Sequence, residues 1–154
     1  MDQVLVGIIM GSKSDMPVMD KAREILDELG IGNEVKVMSA HRQPELVRAY
    51  AAGAQERGLL AIICGAGMAA HLAGAVAAGT TLPVIGVPIK SGALDGMDAL
   101  LSTVMMPTGV PVATVAIDGA KNAAYLAAQI VANNHPELRH RLNEMREKMA
   151  GGNI

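Results

Sequence analysis

Short apolar runs alternate with amphipathic stretches along the whole chain. Residues 3 to 10 (QVLVGIIM) form a β-branched apolar run that ends at Gly11, the pattern of a strand buried on both faces. GSKSD follows as a turn. From Asp15 onward Met19, Ala22, Ile25, Leu26 and Leu29 recur at helical spacing, with Pro17 in the first turn and Gly30 as the stop. The unit then repeats. NEVKVM (33 to 38) leads through the turn SAHRQ into a helix opening at Pro44 and running to about Arg57, and LLAIIC (59 to 64) leads through a glycine-rich turn into an Ala-rich helix from about Ala69 to Ala78. LPVIGVP (82 to 88), a long loop and a helix around Met97 to Val104 come next, followed by VPVATVAI (110 to 117) and a helix from Ala120 to Asn133. After Pro136 a charged helix from Glu137 to Ala150 reads as an arm.

Units of this kind specify an α/β protein, a parallel sheet with helices on both faces. We read residues 1–154 as a single domain with a core at about 3–134, since no linker, fixed-period repeat or low-complexity tract divides the chain. In an open parallel sheet the ligand sits beyond the carboxyl ends of the strands. The loops after the first four strands are therefore where chemistry is expected.

Composition narrows the partners. Hydrophobic residues make up 51% and charged residues 18%, which leaves little polar material to cover so small a domain and predicts subunit contacts. A net charge of -2, with no basic block, argues against nucleic acid. Phe and Trp are absent and only Tyr50 and Tyr125 are aromatic, so base stacking has no platform and Met and aliphatic residues must fill the core. Cys64 has no disulfide partner and the N-terminus has no signal pattern, which points to the cytoplasm. No apolar stretch reaches the eighteen or so residues that a membrane span needs.

The first loop, Gly11 to Asp15, offers a glycine for close backbone approach, the hydroxyls of Ser12 and Ser14, and a helix N-terminus, features that favour a phosphate. Its spacing matches neither the dinucleotide fingerprint nor the P-loop. Ser14 or Asp15 could equally just cap the helix, and Asp15 could hold a ribose diol. In the second loop Ser39, His41 and Arg42 stand together at a strand end. Arg42 supplies a fixed charge, Ser39 a donor, and His41 an imidazole, whose ordinary pKa of about 6.5 makes both forms accessible. A lone histidine is usually structural, but a place beside an arginine on such a loop favours a functional one.

The third loop, GAGMAAH (65 to 71), leaves room for a flat ligand, and its backbone N–H groups could hold a carboxylate. His71 is either a helix-face histidine satisfied by a neighbour or part of the chemistry. Cys64 reads as a small buried hydrophobe, with no cluster nearby to suggest a metal. In the fourth loop Lys90, Ser91, Asp95 and Asp98 either line the crevice or face solvent, and MMPTGVPV at 105 to 112 reads as a subunit contact.

Five motifs in order, MGSKSD (10 to 15), SAHR (39 to 42), GAGMAAHLAG (65 to 74), MPTGVPVATVAI (106 to 117) and KNAAYLAAQI (121 to 130), resemble the bacterial 5-(carboxyamino)imidazole ribonucleotide mutase family across nearly the whole chain. That resemblance implies a three-layer flavodoxin-like fold, a homo-octamer and no metal or organic cofactor. It also implies the conversion of the N-carboxylated aminoimidazole ribonucleotide to its carbon-carboxylated isomer, a step of purine biosynthesis. By the same resemblance Ser12, Ser39 and Arg42 bind the phosphate side, Asp15 the ribose, and His41 handles the ring proton. Gly65, Ala66, Gly67, Ala70 and His71 surround the imidazole and the migrating carboxylate. The final helix, with Leu138, Leu142 and Met145, is similar to a subunit-packing arm. Met16, Gln43, Met68 and Ala73 depart from the family's usual Trp, Thr, Gly and Pro.

The mechanism this suggests is loss of the N-carboxylate as carbon dioxide in a closed pocket, attack on it by the adjacent ring carbon, and removal of that carbon's proton by His41. Two rival readings share the residues. One is a carboxylase using free carbon dioxide, in which Lys is usual where Arg42 stands. The other is a non-catalytic nucleotide- or flavin-binding module on the same fold, disfavoured by the lack of stacking aromatics.

Overall fold

The computed structural model of the chain describes residues 3–152. Its strands are β1 (Val6–Met10), β2 (Asn33–Val37), β3 (Ala61–Gly67), β4 (Val84–Ile89) and β5 (Ala113–Thr114). Its helices are α1 (Met16–Glu28), α2 (Pro44–Gly53), α3 (Leu72–Ala77), α4 (Met97–Val104), α5 (Ala120–Val131) and α6 (Pro136–Ala150), with a short 3-10 turn at Lys13–Asp15. All pairings are parallel, in the order β2-β1-β3-β4-β5. That is a flavodoxin-like order, in agreement with the fold that the family resemblance implies.

The apolar runs become strands because burial on both faces suits them. Every residue of β1 and β4 is buried. Along β3 the side chains alternate between two cores, Ala61 and Ile63 on one face of the sheet, Ile62 and Cys64 on the other. The first core is closed by α1, α5 and α6 through Met19, Ile25, Leu26, the alanines of α5 and Leu138. The second is closed by α2 and α3 through Val47, Tyr50, Leu72 and Val76. On that second face α4 reaches the sheet at Gly86, where an added Cβ would strike Thr103, Val112 and Ala73. Helices thus cover both faces and give the expected three layers.

Four boundaries differ from the sequence reading. The third strand runs on to Gly67, pairing Gly65 with Val87 and Gly67 with Ile89, so residues 65–67 are strand and not turn. A Cβ on Gly65 would run into the sulfur of Met19, so this glycine serves close packing of α1 on the sheet. Helix α3 starts only at Leu72, and α2 stops at Gly53. The run 110 to 117 shrinks to a two-residue strand on the sheet edge, with Ala113 exposed, because one neighbour instead of two leaves it half covered.

Helix α6 divides in two along its length. Leu138 and Leu142 are buried in this chain's own core, and Arg141 Nη1 donates to the Leu29 carbonyl at 2.8 Å. Toward its outer end Met145, Arg146 and Met149 line a cavity with Tyr125, Leu126 and Gln129 of α5, and Met149 is exposed. Residues expected at a subunit contact therefore anchor the helix to its own domain first. Replacing Leu138, 1% exposed, by Ala should lower stability by about 2–5 kcal/mol in urea unfolding. The far-UV circular dichroism of the folded protein should stay unchanged.

Candidate active site

Because β1 lies between β2 and β3, the chain leaves β1 and β3 toward opposite faces and a crevice opens at their carboxyl ends. A cavity of about 470 Å³ lies there, lined from the first turn by Gly11, Ser12, Ser14 and Asp15, and from the second by Ser39, Ala40, His41 and Arg42. Ala66, Gly67, Met68, Ala69, His71, Leu72 and Ser91 complete it. Eight of the ten expected site residues thus share one cavity. Gly65 lies deeper, within the sheet, and Ala70 is buried behind the lining at 2% exposure.

The first turn is built by a reciprocal cap. Ser12 Oγ accepts from the Ser14 amide at 3.3 Å and from the Ser14 hydroxyl at 3.0 Å, while Asp15 Oδ2 accepts from the Ser12 amide at 3.1 Å. Ser12 is therefore the capping residue and Asp15 its partner. Burial pushes the Asp15 carboxyl above its ordinary range, against the lowering effect of the Ser12 amide. A carboxylate that accepts one backbone bond here keeps a second oxygen with which to meet a donor such as a hydroxyl.

The second turn is folded by its own side chains. The Arg42 amide donates to Ser39 Oγ at 3.2 Å, and the Ser39 amide donates to Gln43 Oε1 at 3.3 Å, so Gln43 does local structural work. Arg42 Nη2 then crosses to the Gly11 carbonyl at 2.9 Å and clips the two turns together. The remaining guanidinium N–H groups are positioned beside the Ser12 turn, a suitable donor set for an anion.

His41 and His71 meet across the crevice. Nε2 of His41 lies 2.6 Å from Nδ1 of His71, with the rings edge to face at a centroid distance of 4.8 Å. One nitrogen of the pair donates and the other accepts, which leaves each ring its second nitrogen, Nδ1 of His41 and Nε2 of His71, outside this contact. His71 is therefore satisfied by a neighbour and lines the cavity, standing just ahead of α3 and not on its face.

The fourth loop contributes Ser91 alone. Since Gly67 pairs with Ile89, the chain beyond Ile89 stands over Gly67, and a Cβ there would lie 2.5 Å from Ser91 Oγ. Lys90 and Asp95 face each other at 3.7 Å on the exposed surface. Met68, within the expected 65–71 loop but not singled out there, is part of the lining. It carries φ +54, a left-handed conformation, with its side chain 59% exposed. The polar turns line the cavity without sealing it, because His41, Arg42, Met68 and His71 are all exposed. The expectation of a closed pocket is corrected to that extent for the single chain. Cys64 is buried beneath, and burial pushes its thiol well up, as expected of an inert core residue. Among the described residues no group of three or more His, Cys, Asp or Glu is placed to hold a metal, and no helix is long and apolar enough to cross a membrane.

Fold and site define a flavodoxin-like α/β protein with a histidine pair, two serine-bearing turns and an arginine gathered at the sheet's switch point. The AIR carboxylase family model matches residues 5–151, and the chain belongs to this family. It is 58% identical to the N5-carboxyaminoimidazole ribonucleotide mutase of Pyrococcus abyssi over 94% of this chain and 83% of that one. The protein of the same name from Bacillus subtilis is also 58% identical, over 94% of this chain and 91% of that one. The crystal structure of Treponema denticola PurE is similar in fold, with a TM-score of 0.87 at 31% identity, covering 97% of this chain and 94% of that one.

Two substitutions test this geometry. Asp15→Asn keeps an oxygen for the Ser12 amide and removes a buried charge. A carboxyl whose folded pKa is raised gives stability that is present in acid and lost as pH rises through that pKa. The variant should therefore equal or exceed the parent in urea midpoint at pH 7, with its advantage vanishing toward pH 4, while its KM rises. Met68→Gly should add about 1 kcal/mol by relieving the left-handed backbone, read from the same unfolding curves.

Proposed function

We infer that the chain is an intramolecular carboxyl-transferring isomerase that converts N5-carboxyaminoimidazole ribonucleotide to 4-carboxy-5-aminoimidazole ribonucleotide. Relatives bearing the mutase name at 58% identity support the reaction. The observation that carries the assignment of residues is the shared cavity, in which a histidine pair faces the Ser12 turn and the Arg42 guanidinium.

In this reading the substrate phosphate takes the remaining N–H groups of Arg42 and the hydroxyls of Ser12 and Ser39, and a ribose hydroxyl meets Asp15. The aminoimidazole then lies toward Ala66, Gly67 and His71, with the segment from Gly65 to Ala70 shaping the pocket around the carboxylate. The exocyclic N–C bond breaks, carbon dioxide leaves, and His41 gives a proton to the nitrogen. The adjacent ring carbon attacks the carbon dioxide, and His41 takes back the proton which that carbon loses. The isomerisation is proton-neutral and needs no redox partner. Holding the released gas beside the carbon replaces capture from dilute solution by an intramolecular step.

Closure of the cavity falls to the ligand and to neighbouring subunits. The exposed apolar face of α4, formed by Met97, Leu101 and Val104 with Leu94 and Met105 beside it, supports a homo-oligomer, and we read it as an octamer. The exposed outer end of α6 is a second packing surface. A cytoplasmic location fits a purine-biosynthetic role and the one unpaired cysteine.

His41→Asn should lower turnover by about 10²–10⁴-fold at unchanged circular dichroism, the usual worth of an acid–base group. Retained turnover in a folded variant would remove His41 from the chemistry. The free carbon dioxide alternative is separated by offering each ribonucleotide with and without bicarbonate. The N-carboxylated substrate should turn over without bicarbonate. A requirement for bicarbonate and the uncarboxylated ribonucleotide would make the chain a carboxylase.

A further inference from the structure

Between β3 and α3 the chain crosses the cavity mouth as the four-residue segment 68–71, whose last member is His71. Little within the segment holds it in place. Met68 is left-handed, Met68 and Ala69 are exposed, and the one bond inside it runs from the His71 amide to the Ala69 carbonyl at 3.0 Å. Yet Ala70 is 2% exposed, so its amide has no access to water and needs a partner.

That partner comes from a different element. Ser102, on α4, accepts the Ala70 N–H at Oγ at 3.0 Å, a contact spanning 32 positions in sequence. Its own proton goes to the Asp98 carbonyl one turn back, at 2.7 Å, the shortest of its bonds. A hydroxyl has one proton to donate and two lone pairs. With the proton committed inside α4, the rotor is fixed and a lone pair is presented to Ala70. The Met68 carbonyl also lies within 3.4 Å of the same oxygen. One side chain thus holds the segment adjacent to His71, and His71 holds the His41 ring at 2.6 Å.

We propose that Ser102 is a positioning residue, which fixes the 68–71 segment on α4 and through His71 sets the orientation of the proton-transferring imidazole of His41. This rests on the His41 reading above. The chain of contact is Ser102 to Ala70 to His71 to His41, and Ser102 itself lies outside the cavity lining. Loss of its hydroxyl frees the segment to shift, and a shift of the order of an ångström at a proton-transfer contact is felt in turnover far more than in ligand affinity.

The test compares Ser102→Ala, Ser102→Cys and Ser102→Thr with the parent and with His41→Asn, by steady-state kinetics on the N-carboxylated substrate. Ser102→Ala should lower kcat by about tenfold or more with KM within about twofold. Ser102→Thr, which keeps the acceptor, should restore most of kcat. Ser102→Cys fills similar space with a weak acceptor and should behave like Ser102→Ala; it carries the test should the alanine variant not fold. Parent-like kcat in a folded alanine or cysteine variant, or a rise in KM alone, overturns the role of Ser102 while His41→Asn stays inactive. Full turnover by His41→Asn overturns the histidine reading itself, and the positioning role with it.

Discussion

The central place of β1 in a wholly parallel sheet is the constraint on which the rest depends. With β2 on one side and β3 on the other, consecutive crossovers must leave in opposite senses, and the backbone cannot fill the gap between them. Three turns that are far apart in sequence are delivered to that gap. They arrive with their amides unpaired, because each follows the last residue of a ladder, and something polar must satisfy them. In the first two turns the side chains that do so, Ser12, Asp15, Ser39 and Gln43, come from the turns themselves, and in the third Ser102 of α4 does so. The Arg42 bond to Gly11 then converts two separately folded turns into one wall.

The same sheet dictates the unusual composition. Helix α5 buries five alanines, at 120, 123, 124, 127 and 128, and these let it lie close on the strands without aromatic filler. Glycines at 65 and 86 do the equivalent on the strands, admitting Met19 and Thr103. A core made thin in this way needs fewer large side chains than the chain supplies. The surplus stands outside, chiefly on α4, where Met97, Leu101 and Val104 follow helical spacing on the face away from the sheet. Their exposure is in keeping with the hydrophobic excess of the sequence.

The fold was legible because buried parallel strands and amphipathic helices carry unambiguous periods, and α1 shows this fully, from Pro17 to the left-handed Gly30. Strand ends were less legible. Gly65, Ala66 and Gly67 look like a turn in one dimension, and only pairing with Val87 to Ile89 makes them strand. The edge strand failed for the converse reason, since an apolar run says nothing of how many neighbours it will have. At the site, the residues with distinctive chemistry were found from their loops. Ser91 and Met68 needed the β3–β4 register to be placed, and Ser102 needed a tertiary contact. A serine in a helix that bonds its own preceding turn leaves no trace in sequence of what else it accepts.

The polar groups of the cavity share a property that bears on how the site works. Almost none waits for a ligand in an undetermined position. Ser12 and Ser39 already accept backbone amides, Asp15 already receives one, Arg42 already spans two turns, and the two histidines already hold each other. In the proposed reaction each has its residual capacity left for the substrate: a hydroxyl proton, a second carboxylate oxygen, the remaining guanidinium donors, an imidazole nitrogen. Groups fixed beforehand lose little conformational freedom when the ligand arrives, so more of the binding energy can go to holding reacting atoms together. In the proposed reaction a small uncharged molecule has to stay beside the carbon that captures it, and for that rigidity in the walls matters more than strength in any one contact. In the wall segment 68–71 the side-chain contact is His71 with His41, and the buried Ala70 amide takes its partner from Ser102 on α4.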